Sequence, residues 1–178
     1  MAMAGRVGVW CVLILVGLLT GCAAVPAPAT VDHVDLDKYS GKWYEIARIP
    51  HLYEYNGVAS TQWYLPDKDG RMLVIHRCHQ DTTFGFMRED VGFGTVVDKK
   101  SNAKMSVDMG LAGGDFWVLD LDKDYQYAMV GTPDRRSLWI YSRRPTLPPE
   151  VDERLFHLAD DLGYDTSKIR RTPQPMGF

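Results

Sequence analysis

The stretch Gly41-Lys42-Trp43-Tyr44-Glu45-Ile46-Ala47-Arg48-Ile49 constrains this chain most. Its aromatic and β-branched residues follow a flexible Ser40-Gly41 pair and favour a strand over a helix. Period-two alternation sets Trp43, Glu45, Ala47 and Ile49 on one face and Tyr44, Ile46 and Arg48 on the other. Large residues occupy both faces, so this strand must be covered on both sides.

Strand-like runs and turn residues continue at the spacing expected of a sandwich or barrel, over 59–65, 71–79, 84–97, 103–109, 115–121, 125–131 and 136–142. With the first run they make eight. A loop over 52–57 separates the first two, and Asp69-Gly70 is a hairpin signal between the second and third. Gly92 and Gly94 fit the bend of a long strand at a barrel corner. Beyond Pro145, Pro148-Pro149-Glu150 starts a helix, with acids near its positive end. Val151, Leu155, Leu158, Ala159 and Leu162 then recur at helical spacing until Gly163. That stripe predicts a helix packed outside the strands.

Ahead of these runs, Arg6 precedes an almost uninterrupted apolar segment from Val7 to Leu19, the pattern of a secretory leader and too short for a spanning helix of about 20 residues. The segment ends in Leu19-Thr20-Gly21-Cys22, which resembles the lipobox of bacterial lipoproteins. The resemblance implies diacylglycerol on the Cys22 thiol, cleavage before Cys22, and acylation of the new amino terminus by a chain such as palmitate. Several chains together would anchor the protein far more firmly than one. Ala23 stands where aspartate is the usual inner-membrane retention signal in enterobacteria, and the destination that the resemblance implies is the outer membrane, at its periplasmic face. The Ala/Pro-rich run after Cys22 reads as an extended tether. The organisation is then a leader over 1–21, a lipidated tether over 22–33, and a folded domain over 34–178.

The Gly41-Lys42-Trp43 opening pairs with Leu138-Trp139-Ile140-Tyr141-Ser142-Arg143 about a hundred residues later. Together they resemble the lipocalin family, in particular its bacterial outer-membrane lipoprotein branch, over roughly 34–175. Leu121-Asp122-Lys123-Asp124-Tyr125-Gln126-Tyr127 matches the family's middle signature loosely. The resemblance implies an all-β fold: an eight-stranded antiparallel up-and-down β-barrel with one C-terminal α-helix packed outside. It also makes Gly41, Trp43 and Arg143 the structural signature, with the guanidinium over the indole at the closed end. If Trp43 and Arg143 mark the inward face, alternation turns Ala47, Ile49, Trp139 and Tyr141 inward as well. Likeness to other members adds Tyr64, Phe116, Val118, Ala128 and Val130 as cavity-lining residues.

Charge and cysteines narrow the function. The whole sequence carries −3, and losing Arg6 with the leader makes the rest more acidic, which does not suit nucleic acid. Of the three cysteines, Cys11 leaves with the leader and Cys22 is taken by lipid. Cys78 remains as a single thiol, so no disulfide within the domain is expected. His76 and Cys78 share a strand face while His79 points away, and two ligands do not make a metal site. The glycine-rich 110–114 segment fits no phosphate-binding motif and reads as a hairpin loop. No cofactor and no catalytic residue are expected. An apolar lining suits a fatty acid or lysophospholipid, bound, stored or carried. A filled barrel with a structural role in the envelope and a lipid-modifying enzyme are the rival readings, and the sequence leaves a homodimer open.

Overall fold

A computed structural model describes residues 26–50, 56–67, 71–110 and 112–175. The leader, Cys22, most of the 52–57 loop and Asp69-Gly70 lie outside those residues. Eight antiparallel strands follow in order around the barrel: β1 (Gly41–Ile49), β2 (Gly57–Pro66), β3 (Met72–Gln80), β4 (Met87–Val96), β5 (Lys104–Asp108), β6 (Gly114–Leu121), β7 (Tyr127–Gly131) and β8 (Leu138–Ser142). The barrel closes through β1, which pairs with β2 from Gly41 opposite Tyr64 to Tyr44 opposite Thr61, and with β8 along its other edge. Closure removes the exposed edges that an open sheet would present. Gly92 lets β4 approach β5 closely, because a Cβ there would lie 2.1 Å from the Asp108 carbonyl oxygen.

The end of the barrel where β1 begins is shut by the chain that precedes it. Asp35 caps the short helix α1 (Leu36–Tyr39), accepting from the Asp37 and Lys38 N–H groups. The Trp43 indole N–H donates to the Tyr39 carbonyl at 2.8 Å, and the Tyr39 ring packs 5.0 Å from that of Trp43 and 5.1 Å from that of Tyr64. Arg143 lies over Trp43, 3.7 Å from the ring centroid, and donates to the carbonyls of Lys38, Tyr39, Ser40, Lys42 and Tyr125. One planar cation thus satisfies the carbonyls that a helix end leaves open. Gly41 supplies the turn into β1 with φ +97°, a left-handed conformation that a side chain would strain.

Two apolar clusters flank the barrel wall. The inner one includes Trp43, Tyr64, Val74, Val107, Val118, Ala128, Val130, Trp139 and Tyr141. The outer one gathers Ile46, Leu119, Met129, Leu138 and Ile140 under the helix α2 (Pro149–Asp161), whose Leu155 and Ala159 are fully buried. Burying a leucine such as Leu155 stabilises the fold by about 1.5–3 kcal/mol. Arg154 bridges α2 to Asp120 at 2.7 Å, and Arg171 pairs with Asp152. After a 3-10 turn at Thr166–Lys168, β9 (Arg170–Arg171) adds to β1 opposite Ala47 and Arg48.

The inward placement of Ala47 and Ile49 is corrected here. The β1–β8 register shifts between Glu45 and Ala47, so Glu45 faces Tyr141, Ala47 faces Ile140 and Ile49 faces Leu138. A β-bulge inverts the parity of everything beyond it. Ala47 and Ile49 consequently belong to the outer cluster beneath α2. Its physical reason is Arg48, which the bulge brings round to pair with Glu45 in the interior.

Candidate ligand-binding site

The cavity opens at the end opposite Arg143, between the turns that join β3 to β4, β5 to β6 and β7 to β8. Val74 and His76 of β3, Val107 of β5, and Trp139 and Tyr141 of β8 face into it because each sits on an inward position of an alternating strand. Phe116 packs on Trp139 with ring centroids 5.0 Å apart and forms one wall. Ala112 and Gly113 in the β5–β6 turn, with Thr132 after β7, shape the mouth. About 600 Å³ is free of protein atoms, the mouth included, although the centre of a water molecule reaches only about 50 Å³ of it. The bore is therefore narrow, and the apolar walls favour a slender hydrophobic group over a sugar or nucleotide.

Polar groups enter the lining at Gln62, Tyr64, His76 and Tyr141. Burial pushes the Tyr64 phenol well above its ordinary pKa, so this group stays neutral and can donate a hydrogen bond at any physiological pH. His76 Nδ1 stands 3.8 Å from Asp90 Oδ2, and the Arg88 guanidinium donates to the same oxygen at 2.9 Å. His76 chiefly, and Arg88 after it, hold the Asp90 carboxyl down at about 2 against the opposing effect of burial.

Next to the cavity, the β1 side of the barrel interior is closed by charge. Arg48 donates to Glu45, to the Thr172 hydroxyl at 3.0 Å and to the Gly57 carbonyl at 2.9 Å, and Thr172 also donates to Glu45. Gln174 straps this group by donating to the carbonyls of Glu45 and Ser60. Both charged side chains are almost wholly buried, with 1% exposure for Glu45 and 4% for Arg48.

Of the residues expected to line the cavity, Tyr64, Phe116, Trp139 and Tyr141 do surround it. Val118, Ala128 and Val130 lie in the inner cluster, though not on the cavity wall. Val74 and His76 were readable from the alternation of β3, with Met72 and Cys78 on the same buried face. Gln62 lies two residues before Tyr64 on the same face of β2, past the register shift between Val58 and Thr61, and its polar side chain breaks the apolar pattern of the lining.

The comparisons with known proteins agree with this geometry. A family model described as a lipocalin-like domain matches residues 34–174. Temperature-induced lipocalin-1 of Arabidopsis thaliana is 35% identical over 154 residues, covering 81% of each chain. The outer membrane lipoprotein Blc of Escherichia coli K12 is 32% identical over 162 residues, covering 89% of this chain and 91% of that protein. Insecticyanin from the tobacco hornworm Manduca sexta superposes with a TM-score of 0.63 at 21% identity, covering 84% of this chain and 85% of its own. The cockroach allergen Per a 4 gives 0.62 at 16% identity, covering 85% and 94%. A domain-length family match, two full-length relatives and the eight-stranded barrel with its external helix place the chain in the lipocalin family, whose members are generally binding proteins rather than enzymes.

Proposed function

We propose that this chain is a lipid-anchored lipocalin that binds, stores or carries a fatty acid or lysophospholipid at the periplasmic face of the outer membrane. The observation that carries the ligand assignment is the narrow apolar bore between Phe116, Trp139, Val74 and Val107. These apolar walls would cover an acyl chain, whose burial contributes about 25 cal/mol per Å² of apolar area. Gln62, Tyr64 and His76 give a polar end of the ligand partners inside the barrel. The anchor rests on Leu19-Thr20-Gly21-Cys22 together with the likeness to a protein named as an outer membrane lipoprotein. Cys22→Ser removes the acylated thiol and should leave an unprocessed precursor that takes up no labelled palmitate.

Titration of delipidated protein with saturated fatty acids and lysophospholipids of increasing length tests the ligand. Tryptophan emission should change saturably, Trp139→Phe should lose much of that change, and affinity should rise by up to about 0.8 kcal/mol per methylene until the bore is full. Lipid extracted afterwards should be chemically intact. A filled barrel with a structural role is the second reading, favoured by the Tyr39, Trp43 and Tyr64 rings that occupy the closed half. Calorimetry showing no heat of binding at any chain length would select it.

A further inference from the structure

We propose that the barrel docks mouth first on a phospholipid surface, with the open end of the cavity turned toward the membrane and the Phe84–Phe86 turn inserted at the interface. This rests on the lipid anchor proposed above and adds an orientation to it. The described chain begins at Pro26, whose carbonyl accepts from Arg135 Nη2 at 2.7 Å. Arg135 sits in the β7–β8 turn, and its Nε donates to the Leu162 carbonyl at the C-terminal end of α2. Both elements lie at the open end, because β8 runs from that turn to Arg143 at the closed end. From Pro26 the chain passes down the barrel, with Val31 N–H donating to Val118 and Val34 N–H donating to Ser101, before α1 shuts the base.

Cys22 precedes Pro26 by four positions, and four residues span at most about 14 Å. The nine residues of β3 and the ten of β4, tilted by about 35–45°, raise a wall roughly 20–25 Å tall. An acylated Cys22 therefore holds the mouth near the lipid and keeps the closed end away from it.

The opposite side of the mouth carries the second contact. In the β3–β4 turn Phe84 is 92% exposed and Phe86 77% exposed, and Met87 follows at 53%. These side chains are costly in water and belong at a lipid interface. β3 and β4 stand across the barrel from β7 and β8, so anchor and aromatic turn bracket the mouth. Arg136, Lys168 and Arg170 line a groove on the same rim, where phosphate groups would meet them. Asp81 also lines that groove, Asp134 pairs with Arg136, and Asp165 pairs with Lys168. Apolar insertion, rather than net charge, is the main source of the second contact. Of the other exposed large apolar residues described, Val91 and Phe93 lie along the outer face of β4 and Val97 toward the closed end.

The acylated full chain, reconstituted in phosphatidylethanolamine/phosphatidylglycerol vesicles doped with a diazirine phospholipid, tests this orientation by mapping lipid adducts with mass spectrometry. Adducts should concentrate in 81–87 and 132–137 and be scarce in the closed-end turns 98–102 and 122–126. Phe84→Ser combined with Phe86→Ser, both at exposed positions, should cut adducts in 81–87 by about fivefold or more while the anchor holds the protein on the vesicle. Adducts as frequent at the closed-end turns as at the mouth, or absent from 81–87, overturn the orientation and leave the anchor standing. An N-terminal peptide without acyl mass removes the anchor and the orientation with it. Protein–protein cross-links joining 81–87 of two copies assign the aromatic turn to a second copy of this chain, which also overturns lipid docking.

Discussion

Two arginines close the barrel interior, one at each end of β1, and they do so by different physics. Arg143 meets an indole face and five backbone carbonyls, with no carboxylate among its hydrogen-bond acceptors in the described residues. Arg48 is buried against the Glu45 carboxylate, the Thr172 hydroxyl and the Gly57 carbonyl. The first arrangement fastens the chain that shuts the base, and losing it returns carbonyls to water near the surface. The second holds a full charge inside the wall, and losing either member leaves the other charge buried. Loss of the cation is consequently better tolerated at the base than near the mouth, although the base looks the more elaborate of the two.

Removing one member of each pair breaks the comparison most directly. Arg48→Ala should cost about 3–5 kcal/mol in denaturant unfolding, because Glu45 then stays buried without its cation. Replacing both Glu45 and Arg48 with apolar residues of similar size should recover much of that loss. A double variant as unstable as Arg48→Ala would show that the pair contributes through attraction rather than through mutual compensation.

At the base the largest effect belongs to the ring and not to the charge. Trp43, which is fully buried, should cost about 3–5 kcal/mol on substitution by alanine, as large aromatic deletions in cores do. Arg143→Ala should cost about 1–3 kcal/mol, since water can reach part of the group and satisfy some of the freed carbonyls. Their contact predicts a coupling of about 0.5–2 kcal/mol in a double-mutant cycle. Strictly additive losses would separate the two residues energetically despite the 3.7 Å stacking.

The same two regions explain what the sequence made legible. The closed end is written in short motifs: Gly41-x-Trp43 and Arg143 meet because strand order and period two deliver them there. The strand runs and the α2 stripe follow from local pattern, and the observed spans agree within a few residues. Near the mouth the pattern fails at the bulge after Glu45, because one extra residue leaves no compositional trace yet reverses Ala47, Arg48 and Ile49. The β9 strap is equally silent, since two arginines followed by Thr172 gain their meaning only from Glu45, more than a hundred residues away. Gln62 shares the inward face of β2 with Tyr64 by simple alternation, and only its polar character separates it from the apolar pattern that marks a lining. Motif and periodicity report local order, whereas a buried charge network is a tertiary solution.

The smallest expected effect extends the comparison to a charge that is neither sealed in nor stacked, Asp90, which stands opposite His76 on the inward face of β4. His76 and then Arg88 lower its carboxyl from the ordinary 3.8 to about 2, with burial opposing. A folded-state pKa below the unfolded one means that the unfolded chain binds the proton more readily. The stabilisation is thus fully present above about pH 4 and is lost as pH falls through the range from about 4 to 2. Asp90→Asn should be less stable than the parent at neutral pH, with the difference closing across that window. Because Asp90 is partly exposed, salt should shrink the neutral-pH difference, whereas the penalty of Arg48→Ala should respond little. Urea midpoints at pH 7 and pH 2, in low and high salt, measure both. A gap between parent and Asp90→Asn that persists unchanged at pH 2 would mean that the carboxylate acts through packing and not through its charge.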